Sequence, residues 1–484
     1  MGIAPLESHA ADEAALSDRI ARIEHGLMPV VQIEGHKPVR FPLQKRLAEL
    51  GVPGLSVAVV ENGSLAWARS WGTADAATNR PMDTDTLLLA GSISKPVSAL
   101  RALQLVDQGT IDLDRNINDY LRSWKLPDNE FTKTEKVTLR RILNHTAGLT
   151  VWGFPGYDKG DDVPSVVEVL EGQGNTGPVR VFREPGEGWL YSGGGTTIMQ
   201  LMIMDLDGVS FPESLRKNVL APLRMSASTF SNPLPEALHD RAATGYRASG
   251  EEVEGKWPIY PEMAAAGLWT NPSELIQYAI EIQRIFQHRV DGLLTYESVV
   301  EMLTPGLESF GLGPKIDEHT FSHGGADEGF RAQLVAWKDR PFAVVAMVNS
   351  DNGLVLKEFL LAVADEYRLP GMQQEVRKVE AQSREQLARF AGNYEMPEYE
   401  TFHVTVDGDR LILESGSFSP PLAVLPQGDT EFFSVDDGEI VKFAVDDREG
   451  RVLGFDVWGL HARRVEPELN AAGAEDVDKS DAPR

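Results

Sequence analysis

The alternation of apolar and polar positions changes character several times along the chain, and each change marks an element. A polar leader gives way to a helical pattern from Arg19 to Leu27. Gly54 to Val60 is then an apolar, β-prone run, Glu61-Asn62-Gly63 carries turn chemistry, and Leu65 to Trp71 follows, which predicts an antiparallel hairpin. From Ser92 to Gln108 the period becomes helical: Ala99, Leu103 and Val106 recur at spacings of four and three, and Gly109 stands where a helix stops. Pro96 is compatible with that helix, because amides of a first turn have no intrahelical acceptor to lose. A middle region rich in loops, Gly and Pro holds helical patterns at Thr138 to Leu143, Thr196 to Leu206 and Pro272 to Ile285. Ala332 to Trp337 and Phe342 to Asn349 read as strands, distant partners for the hairpin in a sheet closed by both ends of one domain.

After residue 372 the texture changes. Gln373 to Arg389 is charged and helical without a strong apolar face, so 373–385 is expected to be a connector. Beyond it Val404 and Val406, then Leu411 and Leu413, alternate around Asp407-Gly408; Val441, Phe443 and Val445, then Leu453, Phe455 and Val457, repeat the pattern around Asp446 to Gly450. Residues 386–467 are therefore expected to form a small antiparallel β-barrel or sandwich, and 468–484, rich in Ala, Asp and Glu, a disordered tail. No internal repeat is visible.

Composition narrows the chemistry. With 484 residues and 42% hydrophobic positions the chain has material for a large core and a smaller second domain. Its 73 acidic and 46 basic residues give a formal charge of -27, which repels nucleic acid and anionic membrane surfaces. There is no cysteine, which excludes disulfides, thiolate nucleophiles and Cys-ligated zinc or iron-sulfur clusters, so nucleophilic chemistry must use oxygen. Met1 to Ser17 shows no basic region followed by an apolar stretch, and a soluble cytoplasmic enzyme is the default expectation.

Ser92-Ile93-Ser94-Lys95 places a hydroxyl and an amine one turn apart on one helix face. A serine hydroxyl is a poor nucleophile until a base takes its proton, and a lysine is a base only when neutral, which burial favours. Leu87 to Gly91 buries this pair, whereas the same spacing at Ser214-Leu215-Arg216-Lys217 is flanked by charges and is expected to be solvated and structural. Tyr191 stands before Ser192 and a flexible glycine run, Gly193 to Gly195, which lacks the G-x-G-x-x-G and Gly-Lys-Ser/Thr patterns of phosphate loops. Ser322-His323-Gly324-Gly325-Ala326 precedes a strand, and its glycines let backbone amides approach an oxyanion. No G-x-S-x-G elbow accompanies His145 or His323; the first reads as a turn or core histidine, the second as a site wall. His319, His323, Asp327 and Glu328 fall short of a metal site, since an extended segment separates such a pair and no H-E-x-x-H occurs. No cofactor is implied.

Ser92-x-x-Lys95, Tyr191 after a Pro-Gly turn, and His323-Gly324-Gly325 near the last strands resemble, in order and separation, the class C β-lactamase, D,D-peptidase and family VIII esterase group (peptidase S12-like). Val137 to Leu149 and Ala266 to Leu275 are similar to that group's flanking segments. The resemblance implies an α/β (α+β) β-lactamase/transpeptidase-like sandwich of antiparallel sheet and helical domain over 1–372, and the C-terminal region resembles a lipocalin-like accessory domain. It implies Ser92 as acylated nucleophile, Lys95 as base or relay, Tyr191 as the partner exchanging protons with leaving group and water, and the amides of Ser92 and Ala326 as oxyanion hole. His323, Gly324, Gly325 and Gly193 would border the substrate. Two departures, Gly193 for the group's Y-x-N asparagine and His323 for the lysine of Lys-Thr-Gly, point away from efficient penicillin hydrolysis.

Trp152, Phe154, Tyr157, Trp257 and Tyr260 either line an apolar substrate cleft or cover the core. The expected activity is hydrolysis of a small-molecule ester or amide, including D-amino-acid amides. An acyltransferase sharing the acyl-enzyme, a weak β-lactamase and a catalytically silent binding protein are the alternatives. No nucleic-acid or membrane partner is expected, and a homo-oligomer is left open.

Overall fold

Gly54 to Val60 is apolar at nearly every position because its side chains alternate between two cores. In the computed structural model, which describes residues 4–396, 400–415, 421–446, 448, 450–457 and 460–465, this segment is strand β1 (Gly54–Glu61), followed by β2 (Ser64–Asp75) and β3 (Arg80–Pro81). The sheet is completed from the far end of the domain by β4 (Lys315–Ile316), β5 (Thr320–Asp327), β6 (Phe330–Trp337) and β7 (Ala343–Val348). The order is β3-β2-β1-β7-β6-β5-β4, antiparallel throughout, with Val345 opposite Ala58 and Leu334. The hairpin expected from the sequence is therefore present, and it pairs with the distant strands as expected.

Leu55, Val57 and Val59 of β1 join Val344, Ala346 and Val348 in one core, against helices α1 (Ala4–Glu24) and α5 (Leu354–Tyr367). Ala58 and Val60 join Val345 and Met347 in the other, with α2 (Ser94–Asp107), α3 (Gly193–Asp207) and α4 (Pro272–His288). Helix α1 begins well before Arg19 and ends before Leu27. Its Ala-rich first half has the propensity to continue a helix without an apolar stripe to announce it, while Ile20 and Ile23 supply the buried face and Arg22 pairs with Glu366 of α5 at 2.7 Å.

The described residues divide into two units, those of 4–29 with 39–374 and those of 30–38 with the described part of 375–465. Within the second, Val31–Ile33 pairs in parallel with Glu375–Arg377. The stretch from Gln373 to Arg389 is thus helical only over Arg384–Ala388, because a strand partner far upstream outweighs local propensity. The eight strands from Gly392–Met396 to Leu460–Val465 close into an antiparallel barrel. Phe390, Tyr394, Phe402, Phe432, Phe443 and Phe455 fill its interior with ring centroids 4.6–5.9 Å apart. Leu453 departs from the expected alternation: it is exposed while Val452 is buried, next to a register shift at Ala444/Val445 of the partner strand. The tail expected at 468–484 lies outside the described residues.

Candidate active site

Ser92 sits in a single 3₁₀ turn, Gly91–Ile93, that leads into α2. Three hydrogen bonds brace it from one side. Ala90 N donates to Leu268 O (2.9 Å), Leu268 N donates to Ser94 Oγ (3.0 Å), and Lys95 Nζ donates to Ala265 O (2.9 Å). Lys95 Nζ also donates to Ser92 Oγ at 2.9 Å, from a side chain that is almost wholly buried. On the other side the turn lies directly on β5. Gly91, at φ +52, leaves a hypothetical Cβ only 2.5 Å from Ala326 N, and one on Gly325 would lie 2.0 Å from Ala90 O. Bare backbone is required at both places, and it sets the Ala326 amide beside the Ser92 turn.

Tyr191 lies just before Ser192, the N-cap of α3. Lys95 Nζ is 4.9 Å from its ring centroid, and His323 lies 6.4 Å away on β5. Ser92, Lys95, Tyr191 and His323 are thus drawn together from three distant segments. His323 Nδ1 is 2.6 Å from Gly324 O, and its Nε2 is buried without a hydrogen-bond partner. Burial, reinforced by Lys95, pushes its pKa down to about 4, so the imidazole is neutral near pH 7. Strand alternation turns His323, Gly325 and Asp327 inward and leaves Gly324 and Ala326 exposed.

The glycines after Tyr191 are not a flexible run. Gly193 to Gly195 form the buried first turn of α3, where the Ser192 side chain accepts from Gly195 N. Gly193 N donates to Trp152 O (3.0 Å), and a Cβ at Gly193 would lie 2.9 Å from the Phe154 ring. Trp152 itself is 41% exposed at this edge. Tyr157 is buried, its hydroxyl accepting from Asn175 N (2.9 Å), and Trp257 and Tyr260 are core residues. Ser214 is also buried rather than solvated: from the short helix Phe211–Leu215 its hydroxyl donates to Asp207 of α3, which Arg101 of α2 also holds. Among the described residues no three ligating side chains come together as a metal site, and no helix is long and apolar enough to cross a membrane.

Sequence patterns missed Phe310, which packs 5.2 Å from His145, 5.3 Å from Trp189 and 6.3 Å from His323 by ring centroids; no motif marks it. They also missed Glu262, which is fully buried with neither carboxyl oxygen hydrogen-bonded. Burial raises its pKa to about 7, and burial raises Asp327 to about 8 against the pull of Lys95 and Arg331. For Glu262 the folded value lies above the unfolded one, so stability is full below about pH 4.5 and is lost as pH rises through about 7. Glu262→Gln is expected to remove that loss. Its melting temperature should match the parent near pH 4.5 and exceed it above pH 8, by a stability difference on the order of 3 kcal/mol; equal melting curves at both pH values would refute the assignment.

A family model described as Beta-lactamase matches residues 43–366, and one described as Domain of unknown function (DUF3471) matches residues 376–471. Among curated proteins the chain is similar to Penicillin-binding protein 4* of Bacillus subtilis (strain 168), 23% identical over 410 residues that cover 78% of this chain and 87% of that protein. It is also similar to Protein flp of Staphylococcus aureus (strain N315), 22% identical over 324 residues that cover 63% of this chain and 61% of that one. Among solved structures, the octameric penicillin-binding protein homologue from Pyrococcus abyssi aligns with a TM-score of 0.60 at 21% identity, covering 87% of this chain and 98% of that one. SurE with D-Leu aligns with a TM-score of 0.59 at 22% identity, covering 87% and 97%.

Proposed function

Because the chain belongs to the Beta-lactamase family, a family of serine hydrolases, we propose that it cleaves a small-molecule ester or amide through an acyl-enzyme on Ser92. The observation that carries this reading is the 2.9 Å contact between Lys95 Nζ and Ser92 Oγ in a turn pressed against the Ala326 amide. In the first step Ser92 Oγ bonds to the substrate carbonyl carbon while its proton passes to the Lys95–Tyr191 pair. The amides of Ser92 and Ala326 receive the developing oxyanion. Collapse breaks the bond to the leaving group, which departs with a proton returned through Tyr191. A water then adds to the acyl carbonyl, gives its proton to the same pair, and releases the acid as Ser92 recovers its hydrogen.

Two features favour neutral esters and amides over β-lactams. A neutral His323 offers no fixed cation for a substrate carboxylate. The Cβ that an asparagine would need at Gly193 would lie 2.9 Å from the Phe154 ring and 3.1 Å from Trp152 O. Gly193→Asn alone is accordingly expected to leave nitrocefin turnover unchanged, whereas Gly193→Asn with Phe154→Ala should raise it about tenfold. A gain from the single substitution would refute the steric account.

The test of the function is intact-protein mass after exposure to a fluorophosphonate. One adduct is expected on the parent and on Ser214→Ala, and none on Ser92→Ala. A folded parent that takes no adduct would overturn the acyl-enzyme reading. Esters, D-amino amides and β-lactams, with and without an added acceptor alcohol or amine, then rank the substrates and separate hydrolysis from acyl transfer.

A further inference from the structure

His145 touches Tyr191 and both of its neighbours. Its carbonyl accepts the Leu190 amide at 2.8 Å, and its Nδ1 accepts the Ser192 amide at 3.3 Å. Its ring lies 4.2 Å from the Tyr191 ring, centroid to centroid, with an interplanar angle of 34°. One residue therefore holds the positions before and after the phenol and the phenol's own face. Local secondary structure does not hold the phenol, because Arg183 to Tyr191 contains no helix or strand and α3 starts only at Gly193.

The grip is set by an unusual backbone. His145 has φ +59, a left-handed conformation that costs a residue with a side chain some strain and that histidine tolerates better than most. The turn follows the short helix Leu139–Leu143, capped by Thr138, and is tied down where Thr146 N donates to Arg141 O (2.8 Å) and Gly186 N to Thr146 O (2.7 Å). The second of these bonds joins the His145 turn to the loop that carries Tyr191. Phe310 closes the arrangement, 5.2 Å from the His145 ring and 6.2 Å from that of Tyr191.

We propose that His145 is a positioning residue that fixes the Tyr191 phenol toward Lys95 and Ser92 through this three-point grip, an inference that rests on the acyl-enzyme reading above. Since Nδ1 accepts from an amide, the ring proton sits on Nε2. Burial first, and then the proximity of Lys95 and His323, hold its pKa well below the ordinary histidine value. The ring is neutral and places no cation beside the Lys95 amine. Its contribution is geometric: a phenol free to swing through a second rotamer spends only part of its time within proton-transfer reach, and small misplacements of a general acid–base group cost large factors in rate.

The test is a double-mutant cycle read in kcat on p-nitrophenyl butyrate. His145→Asn keeps a side chain compatible with the left-handed backbone and an amide acceptor but deletes the ring; His145→Phe keeps a ring and deletes the acceptor. Each is expected to lower kcat about 100-fold with KM changed less than threefold. In a Tyr191→Phe background, with no phenol proton left to aim, either substitution should lower kcat less than threefold further. Losses that instead multiply across the two sites would overturn the proposal, because a merely structural histidine acts regardless of the tyrosine hydroxyl. If one His145 variant does not fold, the other runs the same cycle. Absence of Ser92-dependent turnover in the parent would overturn the acyl-enzyme reading and this inference together, whereas multiplying losses on an active parent would overturn this inference alone.

Discussion

Ser92→Ala and Lys95→Met are each expected to lower kcat/KM on an activated ester by about 10⁴-fold, and the double variant is expected to be scarcely slower than either. Lys95 Nζ lies 2.9 Å from Ser92 Oγ and 2.9 Å from Ala265 O, so the amine is held by one hydroxyl and one fixed backbone anchor. Groups that perform one proton transfer are worth little singly, and once one is gone the other has nothing left to do. Methionine keeps the length and apolar stem of lysine in a pocket where Lys95 is 5% exposed. It also removes a polar amine that must otherwise be held away from water, so Lys95→Met is expected to melt at or above the parent temperature. Lost activity with retained or raised stability identifies a residue kept for chemistry. If Lys95→Met retained more than about a tenth of the parent rate, the lysine would not be the proton acceptor.

The second large effect concerns a residue without a side chain. Gly325→Ala would put a methyl group 2.0 Å from Ala90 O, and backbone cannot step aside as a flexible side chain can. Either β5 or the Ser92 turn must move by an ångström or so, separating the two amides assigned to the oxyanion. The expected result is a loss of about 3 kcal/mol of stability together with at least a 100-fold fall in kcat. Gly324→Ala is the control one residue away: its Cβ would meet nothing nearer than Gln333 Oε1, at 3.2 Å, the movable end of a side chain. It should melt within a few degrees of the parent. Equal effects at 324 and 325 in melting curves and ester turnover would mean that glycine matters there for flexibility rather than for close approach.

The legible parts of this molecule are those in which distance along the chain fixes distance in space. Residues 92 and 95 had to share a helix face, and the Asn62-Gly63 turn had to fold β1 onto β2, so local periodicity sufficed. The seating of the other groups depends on segments that meet only after folding. Phe154 reaches Gly193 because Gly193 N and Gly194 N bond to the carbonyls of Trp152 and Val151. Phe310 arrives on a loop between a helix and a strand with no pattern of its own. His145 had every mark of a turn residue, and it is one; that its ring lies on Tyr191 could not be read from a window of neighbours. Glu262 shows the same limit in reverse, since a charged letter in a sequence reads as surface until its burial is seen. The Val31–Ile33 and Glu375–Arg377 pairing likewise joins two stretches that look like coil and connector when read separately.

The two-core arrangement of the sheet makes the central strands count in twos. Leu55, Val57 and Val59 belong to the α1 and α5 side, Ala58 and Val60 to the side that holds the Ser92 turn. A single inserted residue would exchange these inventories wholesale, driving Leu55 and Val57 toward the Ser92 turn and Ala58 into the opposite layer. Length changes in β1 or β7 are therefore tolerable only if they preserve parity or are expelled as a bulge, as Ala66 of the neighbouring β2 is opposite Val59 and Val60. Descendants of this chain should accumulate insertions at loops such as the one carrying Phe310, while the central strands keep their number of residues fixed even where every side chain has been exchanged.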